Sequence, residues 1–396
     1  MKYCFIVFVF IFSISVKAQS LYIPAEPIKL DFLQLERTKK ALLQGDTSLL
    51  PSYQALLLRA NNILKISPKT VMDKLDAPMS GNKHDYISLA PYWWPDSSKK
   101  NGLPYKKKDG LINPEVKLFQ DKENMPKLCE QVYLLGLAYF FSKDEKYAAK
   151  ATQLLYAWFL DTATLMNPHL NYAQMVKGIN NGRGTGIIDT RHFIYALDGV
   201  KLIQSSSSWT WEYNNSLKNW FGSFLNWMLQ SDNGKDEFQT KNNHGVWFDA
   251  QSLSIALYVD SLPLAKKIID NALERLDQQS NNEGLFPLEL ERTNSLHYSC
   301  FNLLAFSVIA QLASDINVDF WHTTTKNKHS LQKAYEALVP YLTYQKQWQY
   351  PQISEFRSEE SWVLLYLANK QWKNKNSSEY IHQQGFRYKT MLMHLL

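Results

Sequence analysis

The sequence predicts an all-α protein built as an α/α toroid, an incomplete barrel of antiparallel helix pairs. Two observations predict this fold class. Apolar residues recur at spacings of three and four residues in many segments, which is the period of a helix with one buried face. Most of these segments are separated by short polar or Gly- and Pro-containing stretches, and no alternation of strands with helices indicates a parallel sheet.

The predicted helices follow one another along the chain from residue 31. Each has an apolar stripe wide enough to pack on a neighbouring helix. In chain order they cover residues 31–44, 52–65, 124–141, 145–160, 190–204, 212–230, 245–258, 263–278, 299–312, 331–343 and 359–367. Because no long linker divides them, we expect residues 19–396 to form a single toroid domain.

The N-terminus has the pattern of a secretory signal peptide. Lys2 precedes an apolar run over residues 3–14, and Val16-Lys17-Ala18 places small residues before a cleavage point. The run is too short to span a bilayer. We therefore expect residues 1–18 to be removed, and the mature protein to be exported, with the periplasm as the expected location and no membrane partner.

The composition favours a carbohydrate site. Aromatic residues make up 14% of the chain, including 12 Trp and 22 Tyr. Aromatic faces stack on sugar rings, although a well-filled helical core also uses such residues. The formal net charge of +6 falls to +4 without the signal peptide, and this mild excess of cations suits an anionic glycan. Cys129 and Cys300 remain, either as a disulfide or as buried thiols.

A long loop over residues 65–124 interrupts the helical pattern. Loops of this size inside compact folds are usually functional, and this loop is rich in aromatic and basic residues. We interpret it as a lid or wall over a glycan groove. The alternative is that its tryptophans plug the toroid and its lysines are solvated. The predicted substrate contacts in the loop are Tyr92, Trp93, Trp94 and Lys107.

Two separated segments carry the residue types needed to remove a proton from a carbon beside a carboxylate. The first contains Asn243 and His244, and the second contains Arg292 and Tyr298. Asn, protonated His and Arg neutralise a carboxylate so that its neighbouring C–H becomes acidic. A tyrosine can exchange protons with the carbon and with the leaving oxygen. We predict that these four residues are catalytic.

The role of each catalytic candidate follows from its chemistry. His244 either neutralises the substrate carboxylate or acts as the base for the epimer whose C5 proton lies on the opposite face. Tyr298 has an ordinary pKa of about 10, which would have to fall for the phenol to act as a base. We expect the adjacent Arg292 to lower that pKa.

Further substrate contacts are predicted close to these residues. They are Asn242, Arg183, Glu289, His297 and Trp247. Asn242 alternatively caps the following helix, and Glu289 alternatively orients Arg292 or His244. Arg183 lies in a glycine-rich run that lacks the Gly-Lys-Ser/Thr ending of a phosphate loop, so we expect it on a substrate carboxylate and no nucleotide.

Five ordered motifs resemble the helical alginate lyase superfamily. They are SLAPYWWPD (88–96), PYKKKDGLINPE (104–115), NGRGTGIIDTRHF (181–193), NNHGVWFDAQ (242–251) and LERTNSLHYSCFNLLAF (290–306). The chain resembles polysaccharide lyase family thirty-eight more than family five, over about residues 30–368. The resemblance implies that Asn243 and His244 are the neutralising pair, that Arg292 is the family's arginine and that Tyr298 is its catalytic tyrosine. The short interval between Arg292 and Tyr298 leaves open whether Arg292 neutralises the carboxylate or tunes Tyr298.

The sequence thus predicts a polysaccharide lyase that cleaves a uronate polymer, with alginate as the first expectation, by β-elimination. Glucuronan is the alternative substrate on the same scaffold. Two different functions also fit an aromatic-rich toroid. One is an α/α-toroid glycoside hydrolase, which needs two carboxylates flanking the scissile bond, and the second is an exported glycan-binding protein without catalysis. We expect an anionic polysaccharide partner, no nucleic acid, no metal and no cofactor.

Overall fold

A computed structural model describes residues 29–356, 361–383 and 394–396. The predicted signal peptide, residues 1–18, lies outside the described residues. Most of the described chain is helical, and the few strands are short. This matches the predicted all-α class.

Fourteen helices are present in the described residues. They are α1 (Phe32–Leu43), α2 (Leu50–Leu64), α3 (Asp121–Ser142), α4 (Glu145–Leu155), α5 (Phe193–Ile203), α6 (Trp211–Gln230), α7 (Asp232–Gln239), α8 (Asn243–Tyr258), α9 (Leu262–Gln279), α10 (Pro287–Leu290), α11 (Ser295–Ser314), α12 (Leu331–Leu342), α13 (Trp362–Trp372) and α14 (Lys375–Gln383). Each of the eleven predicted helices has a counterpart among them. The predicted start of α13, residue 359, lies outside the described residues.

The helices form an inner layer and an outer layer. The inner helices α3, α5, α8 and α11 are buried on nearly every side, whereas α6, α9 and α12 bury one face. Along the inner layer, α3 packs on α5, α5 on α8, α8 on α11 and α11 on α13. The α3–α5 contact is close because it is made at Gly136 and Gly199. A Cβ at Gly136 would lie 2.8 Å from the carbonyl oxygen of Gly199.

Within the described residues, α11 is long and apolar enough to cross a membrane, but 83% of its most apolar stretch is buried inside the protein. It is therefore typical of a core helix. Cys129 and Cys300 are both buried, and no disulfide joins them.

The long loop between α2 and α3 contains three short strands. β1 (Ile87–Leu89) pairs in parallel with β4 (Tyr172–Met175), which follows α4 in the chain. β2 (Trp93–Trp94) pairs with β3 (Lys106–Lys107) as an antiparallel ribbon. The first pairing fixes the loop to the toroid, and the second brings its aromatic and basic residues side by side.

Candidate active site

A cavity of about 490 Å³ opens where the N-terminal ends of α8 and α11 meet the loop ribbon. This volume lies within the range of roughly 300–1,000 Å³ that is usual for ligand sites. Helix N-termini carry partial positive charge and so favour an anionic ligand. The predicted residues that line the cavity are Tyr92, Trp93, Lys107, Arg183, Asn242, Asn243, His244, Arg292, His297 and Tyr298.

His244 lies in the first turn of α8 and is held by a buried carboxylate. Its Nδ1 is 2.7 Å from Glu237 Oε1, and the Glu237 side chain is 1% exposed. The carboxylate accepts the hydrogen bond, so the Nδ1 proton stays on that side of the ring and Nε2 is left for the cavity. Asn242 caps α8 by accepting a hydrogen bond from the His244 backbone N–H at 3.1 Å.

Asn243 is held by a second buried carboxylate. The carboxylate of Glu289 accepts hydrogen bonds from the Asn243 backbone N–H at 2.6 Å and from Nδ2, which is 2.9 and 3.0 Å from its two oxygens. Those oxygens are so close together that a single N–H of the amide points at both. The second N–H of the amide remains available to a substrate.

The predicted substrate contact of Glu289 is therefore wrong. Glu289 is 1% exposed and does not line the cavity. Neither does it orient Arg292 or His244 by a hydrogen bond; its partner is Asn243. Burial raises the pKa of Glu289, and the hydrogen bonds from Asn243 oppose that rise.

Arg292 forms a two-point ion pair with a residue of the long loop. Its Nε and Nη2 donate to the two carboxylate oxygens of Asp109 at 3.1 and 2.7 Å. Although burial opposes it, the Arg292 guanidinium holds the pKa of the Asp109 carboxyl below its ordinary value. The guanidinium carbon lies 3.5 Å from the ring centroid of Tyr298, so the arginine stacks on the tyrosine.

The Tyr298 hydroxyl lies 2.6 Å from the hydroxyl of Tyr92. Burial raises the pKa of Tyr298 well above 10, Tyr92 raises it further, and Arg292 lowers it by less than these two effects together. The expectation of a lowered pKa is thus wrong in its net direction, because desolvation of the phenolate outweighs the attraction of one cation whose charge Asp109 offsets. Tyr298 is a neutral phenol in this environment.

Arg183 enters the cavity from the position just before a 3₁₀ segment, Gly184–His192, that follows β4. Its Nη2 donates to Gln174 Oε1 at 2.8 Å, and its guanidinium lies 5.9 Å from the ring centroid of Trp93. The glycines of this run serve protein packing: a Cβ at Gly186 would lie 2.6 Å from the carbonyl oxygen of Ala173. Arg183 is thus carried on a segment that is closely fitted to the protein.

Two predicted tryptophan contacts are corrected by the structure. Trp247 is fully buried and its ring lies 5.0 Å from that of Phe301, one helical turn deeper than His244. It is a core residue. Trp94 does not line the cavity; its Nε1 donates to the carbonyl oxygen of Leu111 at 2.8 Å, and the ammonium of Lys108 lies 5.1 Å from its ring centroid. Trp94 therefore braces the loop.

His297 and Lys107 complete the predicted set. His297 lines the cavity with its ring stacked on Phe301, at 6.3 Å between centroids. Lys107 lies opposite Trp93 in the ribbon and is exposed to solvent. Both residues add positive charge or hydrogen-bond donors to the wall.

The charged residues of the lining are mostly cationic. Besides the predicted Lys107, Arg183 and Arg292, the lining contains Lys122 and Arg191, which the sequence analysis missed. Asp189 is the acidic residue among the described lining residues, and its carboxylate accepts hydrogen bonds from Ser88 at 2.6 Å and Gln174 at 3.0 Å and pairs with Lys122. A hydrolase needs two carboxylates facing the substrate. The cavity offers one, which is already occupied by protein donors.

The sequence and the fold resemble those of known proteins. The sequence profile described as alginate lyase matches residues 70–348. The chain belongs to the alginate lyase family. A crystal structure of an alginate lyase from Bacteroides ovatus is 37% identical, and the match covers 92% of this chain and 97% of that chain with a TM-score of 0.87. No curated protein matches the chain.

More distant alginate lyases share the fold. Alginate lyase A1-III from Sphingomonas species A1 is 15% identical, with 86% of this chain and 87% of that chain covered and a TM-score of 0.57. A variant of A1-III complexed with a tetrasaccharide is also 15% identical, with 87% and 89% covered and the same TM-score. These matches confirm the predicted helical toroid. This alginate lyase family member is accordingly a polysaccharide lyase, as predicted.

Two of the supporting carboxylates, Asp109 and Glu237, were missed by the sequence analysis. Asp109 is 183 residues from Arg292 in the chain, and Glu237 lies in α7, a helix that was not predicted. The Asp-Gly pair at 109–110 was the one available signal, since it marks a tight turn. Across residues 29–356, 361–383 and 394–396, no group of three or more His, Cys, Asp or Glu side chains could hold a metal ion.

Proposed function

We propose that this lyase cleaves alginate by β-elimination. One observation carries the proposal: Asn243, His244 and Tyr298, from two separate helices, meet in one cavity whose charged lining is mostly cationic. A uronate polymer supplies the negative charge that such a lining attracts. The known alginate lyase from Bacteroides ovatus, at 37% identity, supports alginate as the polymer.

The first step in the proposed mechanism neutralises the C6 carboxylate of the uronate. The remaining amide N–H of Asn243 donates to it, and Arg183 adds positive charge across the cavity. Glu289 fixes the orientation of that amide, so the donor is in place before the substrate binds. Preorganised donors of this kind stabilise the negative charge that develops as the C5 proton leaves.

The second step moves two protons. His244 Nε2 takes the C5 proton, the electron pair of the C5–H bond forms the C4–C5 double bond, and the C4–O4 bond breaks. The neutral phenol of Tyr298 gives its proton to the departing O4. Because the base and the acid are two separate residues, this scheme suits a substrate whose C5 proton and O4 lie on opposite faces of the ring. Guluronate has this arrangement.

Mannuronate places the C5 proton and O4 on the same face. Tyr298 would then have to be both base and acid, and its raised pKa opposes the ionisation that the base role requires. We therefore expect faster cleavage of polyguluronate than of polymannuronate.

The test is ultraviolet-monitored digestion of polyguluronate, polymannuronate and glucuronan by the protein from Gln19, with chelator present. Elimination leaves a C4–C5 double bond that absorbs, whereas hydrolysis produces new reducing ends without absorbance and a binding protein leaves the polymer intact. His244→Ala and Tyr298→Phe should each abolish the absorbance. Tyr105→Phe removes a loop hydroxyl that donates to Glu115 outside the cavity, and it should leave the rate unchanged.

We also propose that the enzyme acts after export, in the periplasm, as one domain from residue 19. The proposal is supported by Lys2, the apolar run over residues 3–14 and the small residues before Gln19. Mass spectrometry of the protein from a periplasmic fraction should find Gln19 at the N-terminus. A full-length protein retained in the cytoplasm would contradict the proposal.

A further inference from the structure

The Asp109 carboxylate is hydrogen-bonded to the segment that carries the catalytic tyrosine. Its carboxylate accepts from Arg292 at 3.1 and 2.7 Å, and from the backbone N–H and the hydroxyl of Thr293 at 3.4 and 3.1 Å. Charge-assisted bidentate pairs of this kind are among the strongest and most directional polar contacts in proteins. The long loop is thus fastened to the chain just before α11.

Gly110 makes this attachment possible. Its φ is +75°, a conformation that side chains with a Cβ rarely adopt. A Cβ at this position would also lie 2.4 Å from the Thr293 hydroxyl oxygen. Residue 110 must therefore be glycine for the loop to approach closely enough that Asp109 reaches Arg292.

The pairing with Asp109 determines which part of Arg292 faces Tyr298. The Nε and Nη2 edge of the guanidinium is directed at Asp109, and its carbon lies 3.5 Å from the centre of the tyrosine ring. The arginine therefore meets Tyr298 as a stacked charge. The same loop places the Tyr92 hydroxyl 2.6 Å from the Tyr298 hydroxyl, so the loop holds the phenol at two points.

We propose that Asp109 is a positioning residue that fixes Arg292 on the Tyr298 ring, so that Arg292 serves the tyrosine and does not bind the substrate carboxylate. This inference rests on the proposed role of Tyr298 as the acid of the elimination. It assigns neutralisation of the carboxylate to Asn243 and the other cavity donors. It also gives the loop a part in the chemistry beyond covering the groove.

Kinetics distinguish the two roles of Arg292. Asp109→Asn removes the charge that holds the guanidinium, and we expect kcat to fall about 10- to 100-fold with KM nearly unchanged, because the acid is misplaced while substrate contacts remain. Lysine cannot form the two-point pair, so the kcat of Arg292→Lys should fall by a similar factor. The double variant should be no slower than the slower single variant, because both changes break one unit. A raised KM with unchanged kcat in Arg292→Lys would identify Arg292 as a carboxylate ligand and overturn the proposal.

Asp96→Asn is the matched control. Asp96 lies in the same loop, pairs with Lys106 at 3.0 Å and does not line the cavity. We expect its kcat to equal that of the wild type. If Asp96→Asn lost as much kcat as Asp109→Asn, loosening the loop alone would account for the lower kcat. That result would contradict a specific role for Asp109.

A crystal structure of Asp109→Asn decides the positional claim without any substrate. A guanidinium displaced from the Tyr298 ring supports the proposal, and one that remains stacked overturns it. If the wild-type protein produced no unsaturated ends from any of the three polymers, the proposed function would fail, whereas this structure would still decide whether Asp109 positions Arg292.

Discussion

Replacing Glu237 by glutamine tests how His244 is prepared for catalysis. The substitution keeps the size of the side chain and removes its charge. Glu237 is 1% exposed and lies 2.7 Å from His244 Nδ1. The His244 ring thus loses a charged acceptor while the space beside it stays filled.

The size of the effect follows from the hydrogen bond that is weakened. A hydrogen bond to a charged group contributes about 1.5–3 kcal/mol, and one between neutral groups contributes about 0.5–1.5 kcal/mol. The difference of about 1–1.5 kcal/mol applies when the ring gains a proton in the transition state. It corresponds to a loss of at least about fivefold in kcat. A glutamine that turned its NH2 towards Nδ1 would move the ring proton to Nε2 and reduce kcat much further.

The assay is kcat for polyguluronate together with the melting temperature. The second carboxylate oxygen of Glu237 is buried without a hydrogen-bond partner among the described residues. Glutamine places an NH2 group at that buried position, where an unpaired donor costs about 1–3 kcal/mol, so we expect a lower melting temperature, and kcat is compared well below it, where the variant is folded. Asp236→Asn, at the exposed neighbouring position, is the control. A variant with kcat within twofold of the wild type would refute the role assigned to Glu237.

Three further predictions follow from particular contacts. The raised pKa of Tyr298 keeps the acid protonated, so kcat should show no loss on the alkaline side below about pH 10. A rate that still rises above about pH 8, where an ordinary histidine base is already neutral, would indicate a phenolate base. Gly110→Ala should lower the free energy of unfolding by about 1–3 kcal/mol and reduce kcat, because of its positive φ and its contact with Thr293; equilibrium denaturation checks the first effect and wild-type stability would contradict it. Trp247→Phe should leave KM unchanged and lower stability by about 1–2 kcal/mol, because Trp247 is fully buried and does not line the cavity, although it packs behind the cavity-lining Phe301; a raised KM would show that Trp247 affects substrate binding.

The helices could be predicted because each carries its own apolar pattern. α6 was predicted to within one residue at its start, and its one-sided burial shows why the pattern was clear. α7, which reads DNGKDEFQ, has too few apolar residues to show a helical period. α11 begins four residues before the predicted position 299 because Ser295 and Leu296 are bonded to residues 351–352. Such tertiary contacts leave no local signal.

The site residues also divide into those with a local sequence signal and those that depend on the folded structure. His244 and Tyr298, which the structure brings to one cavity, were predicted together because the chemistry of elimination restricts which side chains can perform it. Trp247 lies in the same motif, yet helix geometry places it one turn inside the bundle. The direction of the Tyr298 pKa depended on burial, which no short motif reveals.

Three carboxylates that hold cavity residues in place explain why this toroid suits elimination better than hydrolysis. Each is directed at a residue that faces the cavity: Glu289 at Asn243, Glu237 at His244 and Asp109 at Arg292. Their negative charge is used to orient protein donors, so it is not available to protonate a glycosidic oxygen or to activate water. The same pairing offsets the positive charge of Arg292, so attraction of the polymer falls to other cations of the lining, such as Lys107, Arg183 and Arg191. Substrate attraction and support of the catalytic tyrosine thus depend on different cations. Changing Lys107 should therefore alter KM, whereas changing Asp109, which holds Arg292, should alter kcat.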